Sequence, residues 1–448
     1  MEGSALKRLY VKTFGCQMNA YDSARMADLL GEDGGYVATE EPTQADLIIL
    51  NTCHIREKAE DKLFSELGRL RFESTNRGAI IAVGGCVGQA AGAEIFKRAP
   101  YVRMVFGPQN YHKLPQMLAR AEAGEQRILA DDIPAVDKFD NLPGAQAHGV
   151  AASVAVQEGC DKFCTFCVVP YTRGREWSRP VADVLAETES LAAQGVREIL
   201  LLGQNVNAYE ADDADGVSHD LALLIRRVAL IDGIERIRFV TSHPADMNDD
   251  LVEVFADVPQ LCSYLHLPIQ SGSDAVLEAM ERGHTVAEYE AWIAKLRAAR
   301  PDIAIATDLI VGFPGETEAQ FEQTLELAER VRYDHAYSFK YSARPGTPAA
   351  QLPDQLPEAV KEERLARLQA RLNQIQLENN RAQIGRVENV LVEGWSKRGE
   401  GELSGRTSGL RRVNFPGRAE WIGQTVAVTI TEGLPNSLKG RIAEDAAA

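Results

Sequence analysis

The 448-residue chain has no apolar run approaching the roughly 18 residues that a membrane-spanning helix needs. Its opening stretch, MEGSALKRLYVKTFGC, lacks an apolar signal core and runs straight into a strand-like segment. Both features lead us to expect a cytoplasmic protein with no membrane contact. Positive charge is also scarce. Lys and Arg total 48 against 65 Asp and Glu, a net charge of −17, which argues against a generic nucleic-acid binder because phosphates need local positive charge. The deficit is uneven, since residues 381–448 hold 10 basic and 8 acidic side chains and leave 38 and 57 for the rest. Cysteine is sparse and odd in number, at seven, which in a reducing compartment argues against a disulfide framework. Metal or cluster ligation then becomes the leading use of the thiols. Neither an internal repeat nor a low-complexity tract is present beyond an alanine-rich tail.

The length itself implies more than one core. Residues 7–123 alternate β-rich apolar runs, ending at Phe14, Leu50 and Val83, with helical stretches such as Tyr21–Leu30 and Ile55–Leu70. That pattern predicts a doubly wound α/β unit. The stretch Ala130–Gly149, rich in Asp, Pro, Gly and Ala, reads as a linker. Over residues 146–379 six further strand–helix units are expected, with strands at Ser153–Gln157, Glu198–Leu202, Ile234–Thr241, Tyr264–Ile269, Ala304–Val311 and His335–Tyr341. Six units predict an incomplete barrel. Gly, Pro and polar residues gather just after each strand, where parallel βα folds place their ligands. After the helical stretch Glu358–Ala382, residues 381–444 turn to short strands, Val387–Glu393, Arg411–Phe415, Thr425–Thr431 and Leu438–Ile442, which predict a small β-barrel. The overall class is α/β.

The cysteines fall into two sets. Cys160, Cys164 and Cys167 share one loop after the first barrel strand. Three thiolates this close can bind one metal centre. A 4Fe–4S cluster ordinarily takes four thiolates, so three leave one iron open. A zinc knuckle completed by a histidine is the alternative, although no His lies in the loop or soon after it. Cys16, Cys53 and Cys86 are far apart in sequence, yet each lies within three residues of the end of an apolar strand: LYVKTFGC, ADLIILNTC and AIIAVGGC. A parallel sheet brings such ends to one edge, so the thiols can converge on a second cluster; three small buried hydrophobes are the bland alternative. Cys262 precedes the strand YLHLPIQ without a partner and reads as a core residue.

The Gly159-Cys160-x3-Cys164-x2-Cys167 spacing, following the first strand of a six-unit barrel, resembles the radical S-adenosylmethionine (SAM) superfamily. The resemblance implies that these three cysteines hold a 4Fe–4S cluster whose open iron chelates SAM, which is cleaved to a 5′-deoxyadenosyl radical. It also places Phe166 beside the adenine, Gly203, Gln204 and Asn205 at the SAM amino group, and Gln270 and Ser271 near the ribose. The two cysteine sets together, with the segments TFGCQMNAYDS, LNTCHIREKA, HLPIQSGSD and DLIVGFPGET, resemble the radical SAM methylthiotransferases. That family joins an N-terminal cluster domain, a radical SAM core and a TRAM barrel, and the closest likeness is to its branch acting on N6-dimethylallyl (isopentenyl) adenosine at position 37 of tRNA. Other branches modify threonylcarbamoyl-adenosine in tRNA or an aspartate of a ribosomal protein; Cys16-Gln17-Met18-Asn19 differs from the latter's first motif.

The implied reaction places a methylthio group on carbon 2 of the adenine. One SAM methylates a sulfur of the auxiliary cluster, held by Cys16, Cys53 and Cys86, and a second yields the radical. The ring hydrogen is not acidic enough for an ordinary base, so radical chemistry suits the task. The implied partners are the tRNA anticodon stem-loop, an electron donor such as flavodoxin or ferredoxin, and proteins that supply sulfur or clusters to a monomer. Lys397, Arg398, Arg406, Arg411 and Arg412 are the expected RNA-binding residues, with Arg364, Arg367 and Arg371 of the connecting helix as the second choice.

Overall fold

The computed structural model describes residues 6–443 except 32–33, 55–58, 75–77, 134–137, 214, 398 and 400, without the side chains of 72–74. It divides into two compact units. One comprises the chain up to Gln146 with Glu158–Asp161 and Cys167–Trp177; the other holds Ala147–Gln157, Lys162–Phe166 and the chain from Ser178 onward.

The first unit is built on six strands: β1 (Lys7–Phe14), β2 (Tyr36–Ala38), β3 (Leu47–Thr52), β4 (Ile80–Gly84), β5 (Met104–Phe106) and β6 (Ile128–Ala130). They form one parallel sheet in the order β2-β1-β3-β4-β5-β6. Every residue of β3 is buried, as expected of a central strand covered on both faces. Leu47 and Ile49 pack with Met104, Phe106 and Leu114 on one side, and Ile48 and Leu50 with Leu63, Leu67 and Val87 on the other. The strand order reverses between β1 and β3, the topological switch point at which open α/β sheets bind ligands.

The expected strands match β1, β3 and β4; β2, β5 and β6 are three-residue strands too short to leave a pattern. The first expected helix begins earlier, at Gln17, and the second spans Ala59–Ser74, its expected start at Ile55 lying outside the described residues. Ala130–Gly149 is more than a linker. It opens on the last residue of β6 and carries Lys138, which is buried.

In the central region the loop that carries Cys160 is bracketed by a pair of two-residue strands, β8 (Gln157–Glu158) and β9 (Trp177–Ser178), after β7 (Ala151–Ala155). Then come β10 (Glu198–Leu202), a small hairpin of β11 (Glu210–Asp212) and β12 (Ser218–Asp220), β13 (Arg236–Phe239), β14 (Tyr264–His266), β15 (Ala304–Val311) and β16 (His335–Lys340). The sheets β7-β10-β13 and β14-β15-β16 are parallel, and an Ile237–Leu261 bridge links them. Six main strands thus lie in chain order, as the alternation predicts.

The C-terminal strands, β17 (Val387–Trp395), β18 (Glu402–Arg406), β19 (Arg412–Pro416), β20 (Thr425–Gly433) and β21 (Leu438–Ile442), close a five-stranded barrel. Val390, Leu403, Val413, Phe415, Val428 and Leu438 fill it. Only β18, with Gly405 inside it, escaped the sequence reading. The barrel is tied to β13 by charged-donor hydrogen bonds: Arg236 donates to the carbonyls of Arg406 (2.7 Å) and Asn389 (2.8 Å), and Arg238 to that of Ser408 (2.8 Å). No helix among the described residues is long and apolar enough to cross a membrane.

Candidate functional site

Cys16, Cys53 and Cys86 follow β1, β3 and β4, at and beside the switch point. Two glycines let the strand ends close up. Gly15 has φ +145°, and a side-chain carbon on it would lie 2.4 Å from Cys53 Cβ; Gly85, at φ +87°, would meet Asn51 Oδ1 at 2.3 Å. Only glycine tolerates both the conformation and the approach. The Cys53 N–H donates to the Phe14 carbonyl (2.8 Å), tying the second end to the first. Cys53 and Cys86 are buried, and Cys16 sits at the exposed edge. A hydrogen bond with Cys53 holds the Cys16 thiol down at about 6; loss of surrounding water opposes it, and the Arg173 guanidinium assists. Burial pushes the Cys86 thiol up, with Arg173 pulling it back.

Arg173 is the residue that sequence reading missed. It closes the short helix Val169–Arg173, six residues beyond Cys167, and belongs to the first unit. Its side chain is 3% exposed and donates to Asp22 Oδ2 at 2.6 Å, and its Nη1 lies 3.6 Å from Glu158. Glu158 in turn pairs with buried Lys138 and accepts from Gln109 (2.5 Å). The sequence held the signal, since Arg173 stands in the run CVVPYTRGRE that begins at Cys167, but nothing in the spacing says that this arginine faces the other cysteine set.

Thiols at one sheet edge, one of them acidified beside a buried cation, suit a cluster whose thiolates bring negative charge. Among the described residues, no three His, Cys, Asp or Glu side chains are gathered tightly enough for a single metal ion. A cluster spreads its thiolates over separate irons and asks for a wider set.

The other loop is equally constrained. A side-chain carbon on Gly159, φ +75°, would lie 1.9 Å from the Arg175 carbonyl oxygen. In the first unit, the Cys160 N–H donates to the Gly174 carbonyl (3.3 Å), and Cys167 Sγ accepts from the Val169 N–H (3.5 Å). In the second, buried Cys164 accepts from Arg282 Nη1 at 3.3 Å, and Arg282 is braced on the Pro268 carbonyl (2.7 Å). Arg282 is a further residue the sequence did not flag.

The residues expected at SAM lie beyond the strand ends of the second unit. Gln157 Oε1 accepts from the backbone N–H groups of Gln204 (2.8 Å) and Asn205 (3.0 Å), and Gly203 leaves room for it. Asn205 Nδ2 donates to Asp246 (2.8 Å), which pairs with Lys162 at 2.5 Å, so the loop after β10 meets the cysteine loop. Phe166 packs with Met280, Phe313 and Tyr341. Gln270, at φ +80°, is held between Asp308 and Ile310 of β15, and Ser271 is buried with its hydroxyl accepting from the Ser273 N–H.

The basic residues fare unevenly. Arg411 pairs with Asp334, each side chain 12% exposed, so it is turned inward onto that acid. Arg406 pairs with Glu393 at 3.2 Å. Arg412 and Lys397 are exposed, and Arg398 lies outside the described residues. Arg364, Arg367 and Arg371 are each paired with glutamates, Arg364 while buried. The connecting helix therefore offers no free arginine among these three.

Six parallel strands in chain order, a three-cysteine loop after the first and a closed C-terminal barrel define a radical SAM enzyme with a small accessory β-barrel. The Radical SAM superfamily matches residues 154–328, the uncharacterized protein family UPF0004 residues 8–107, and the TRAM domain residues 381–443. A tRNA-2-methylthio-N(6)-dimethylallyladenosine synthase from Magnetococcus marinus is 70% identical over 98% of this chain and 100% of its own length. One from Halorhodospira halophila is 56% identical over 97% and 92%. Among solved structures, the radical SAM methyltransferase TsrM from Kitasatospora setae shares the fold at TM-score 0.57 and 14% identity, covering 77% of this chain and 74% of its own. The chain belongs to the family of tRNA-2-methylthio-N6-dimethylallyladenosine synthases, and it is a radical SAM, iron–sulfur, sulfur-transferring enzyme.

Proposed function

We propose that this enzyme inserts a methylthio group at carbon 2 of N6-dimethylallyladenosine at position 37 of tRNA. Two three-cysteine sites serve the reaction, Cys160, Cys164 and Cys167 for the SAM-binding 4Fe–4S cluster and Cys16, Cys53 and Cys86 for an auxiliary one. When bound, the clusters and SAM supply radical cleavage of an unreactive C–H bond and the sulfur that replaces it. The observation that carries the reading is the thiol set at the β1/β3/β4 edge, acidified at Cys16 and backed by buried Arg173. A radical-generating loop alone would not call for it.

The protein's own residues supply position and charge. Arg282 donates a hydrogen bond to Cys164, and the Arg173 guanidinium favours the thiolates of Cys16 and Cys86 in the auxiliary set. Gln157 aims the Gln204–Asn205 backbone, and Phe166 offers an apolar face. The division into 7–123, 146–379 and 381–444 assigns auxiliary chemistry, radical chemistry and RNA holding to successive parts. An anticodon stem-loop, a flavodoxin- or ferredoxin-type electron donor and sulfur- or cluster-supplying proteins complete the system around a cytoplasmic monomer. Mass spectrometry of tRNA nucleosides from cells with and without the gene tests this. Loss of 2-methylthio-N6-dimethylallyladenosine, with its unthiolated precursor accumulating, is expected; an unchanged nucleoside profile would overturn it.

A further inference from the structure

The sheet β14-β15-β16 has one face under helices. Thr307 of β15 donates to the Leu267 carbonyl (3.1 Å), which also takes the hydroxyl of Tyr289 from the helix Val286–Ala299. Strand alternation sends Ala306, Asp308 and Ile310 to the opposite face. There His266 Nε2 meets Asp308 Oδ1 at 3.0 Å, and His266 Nδ1 accepts from the Thr241 N–H (3.3 Å). The second bond fixes the tautomer: Nε2 carries the hydrogen and donates it to Asp308. Oδ2 of Asp308 has no hydrogen-bond partner among the described residues, and the side chain is 27% exposed.

Tyr337 stands directly across from Asp308 in the β15–β16 register, and its ring meets that of His266 edge-on, centroids 6.1 Å apart. Phe339 follows on the same face of β16. Tyr337 is 52% and Phe339 40% exposed, which is not how a strand aromatic in a packed core behaves. Ile310, one pleat repeat from Asp308, packs in the cluster that includes Phe166. The Asp308 carboxylate and the exposed Tyr337 ring therefore sit about 7 Å along the strand from Ile310 of the Phe166 cluster, and the Phe339 ring stands level with Ile310.

We infer that Asp308, oriented by His266, accepts the exocyclic N–H of the target adenine, with Tyr337 and Phe339 as the apolar wall for its dimethylallyl chain. The inference rests on the proposed tRNA substrate and names the residues that read its base. N6-alkylation leaves one N–H for one acceptor oxygen and adds five carbons, which is the chemistry this face offers. Asp308 is a substrate-contacting residue in this account, and His266 is a positioning residue.

The test measures binding of synthetic anticodon stem-loops to the anaerobic holoenzyme, alongside methylthio product. The RNAs carry adenosine, N6-dimethylallyladenosine, or N6-methyl-N6-dimethylallyladenosine, which has no N–H. Wild type should prefer the N–H form over the N-methyl form about 10- to 100-fold, the worth of a hydrogen bond to a charged acceptor. D308A should erase that preference, and D308N, which keeps an acceptor oxygen, should reduce it. Y337A/F339A should shrink the preference for prenylated over plain adenosine by roughly tenfold while sparing the N–H preference. A merely structural role would weaken all three RNAs alike. D308A with wild-type preferences, or Y337A/F339A with its prenyl preference intact, overturns the inference. Failure of wild type to make methylthio product from any of these RNAs would instead sink the proposed function, because the binding preferences read the base site separately.

Discussion

Replacing Arg173 by Met removes the cation from a site that cannot be rehydrated. Asp22 is fully buried, and its Oδ1 already lacks a hydrogen-bond partner among the described residues. Deleting one partner of a buried pair costs about 3–5 kcal/mol. Glu158 limits the damage, since it keeps Lys138 and Gln109 and only Asp22 is orphaned. Burial pushes the Asp22 carboxyl above its ordinary range, so the orphan can take a proton. The residual penalty is then that of an unsatisfied neutral group, about 1–3 kcal/mol. We expect a loss of about 3 kcal/mol, or roughly 6–12 °C in the transition of the first unit. Adding D22N, which discards the charge that Arg173 neutralised, should return a large part of it, so the two changes should be non-additive by more than about 1 kcal/mol. Calorimetry on the wild type, both single variants and the double variant measures the coupling. Additive effects, or an R173M transition within about 2 °C of wild type, would show that the pair does not hold this edge of the sheet together.

Changing Cys160, Cys164 or Cys167 to Ala should abolish SAM cleavage while the iron held by Cys16, Cys53 and Cys86 remains, whereas Cys16, Cys53 or Cys86 to Ala should preserve cleavage and stop sulfur insertion. Quantifying 5′-deoxyadenosine and methylthio product separates the cases, and either product at wild-type yield where it should vanish contradicts the assignment. On the barrel, R412A should lower the slope of log affinity for tRNA against log salt by about one, whereas R411A, which breaks the Asp334 pair, should leave the slope unchanged and cost about 2 kcal/mol of stability; a slope change from R411A would mean that this arginine does reach RNA. Burial and the nearby Arg282 push His243 down to about 2, so it stays neutral in the fold while the unfolded chain protonates below about 6.5. Its stabilising contribution is therefore full above that pH and falls as pH drops toward 2, by about 2 kcal/mol at pH 5. H243N should flatten this acid limb in urea titrations at pH 7 and 5, and an unaltered limb would place the pH dependence elsewhere.

Legibility in the sequence tracked the length of each hydrophobic pattern. β3 and β15 are six and eight residues of nearly unbroken burial, and both could be read directly. β5 and β6 are three residues each and gain their strand character from their neighbours, β5 from β4 and β6 from β5, so the information that makes them strands is not local. β18 interleaves Gly405 with polar residues, and its register comes from partners on both sides. The gathering of Cys16, Cys53 and Cys86 at one sheet edge was legible because each follows an apolar strand, and a topology rule brings those strand ends together.

Charged residues obey no such rule, and there the sequence says less. Arg411 and Arg412 are adjacent and chemically identical, yet one is spent on Asp334 and the other faces solvent. Alternation says that they diverge without saying which turns inward; that depends on an acid 77 positions earlier, just ahead of β16. Arg173 reverses the case. It stands in the radical SAM loop's own sequence, so proximity along the chain assigns it to that site, while its partners Asp22 and Glu158 and the thiols it acidifies lie in the first unit. Under the proposed assignment a single loop thus contributes cysteines to one centre and a cation to the other. Substitutions that perturb its backbone, such as any side chain at Gly159, should therefore disturb both centres together, while substitutions of its individual cysteines disturb one.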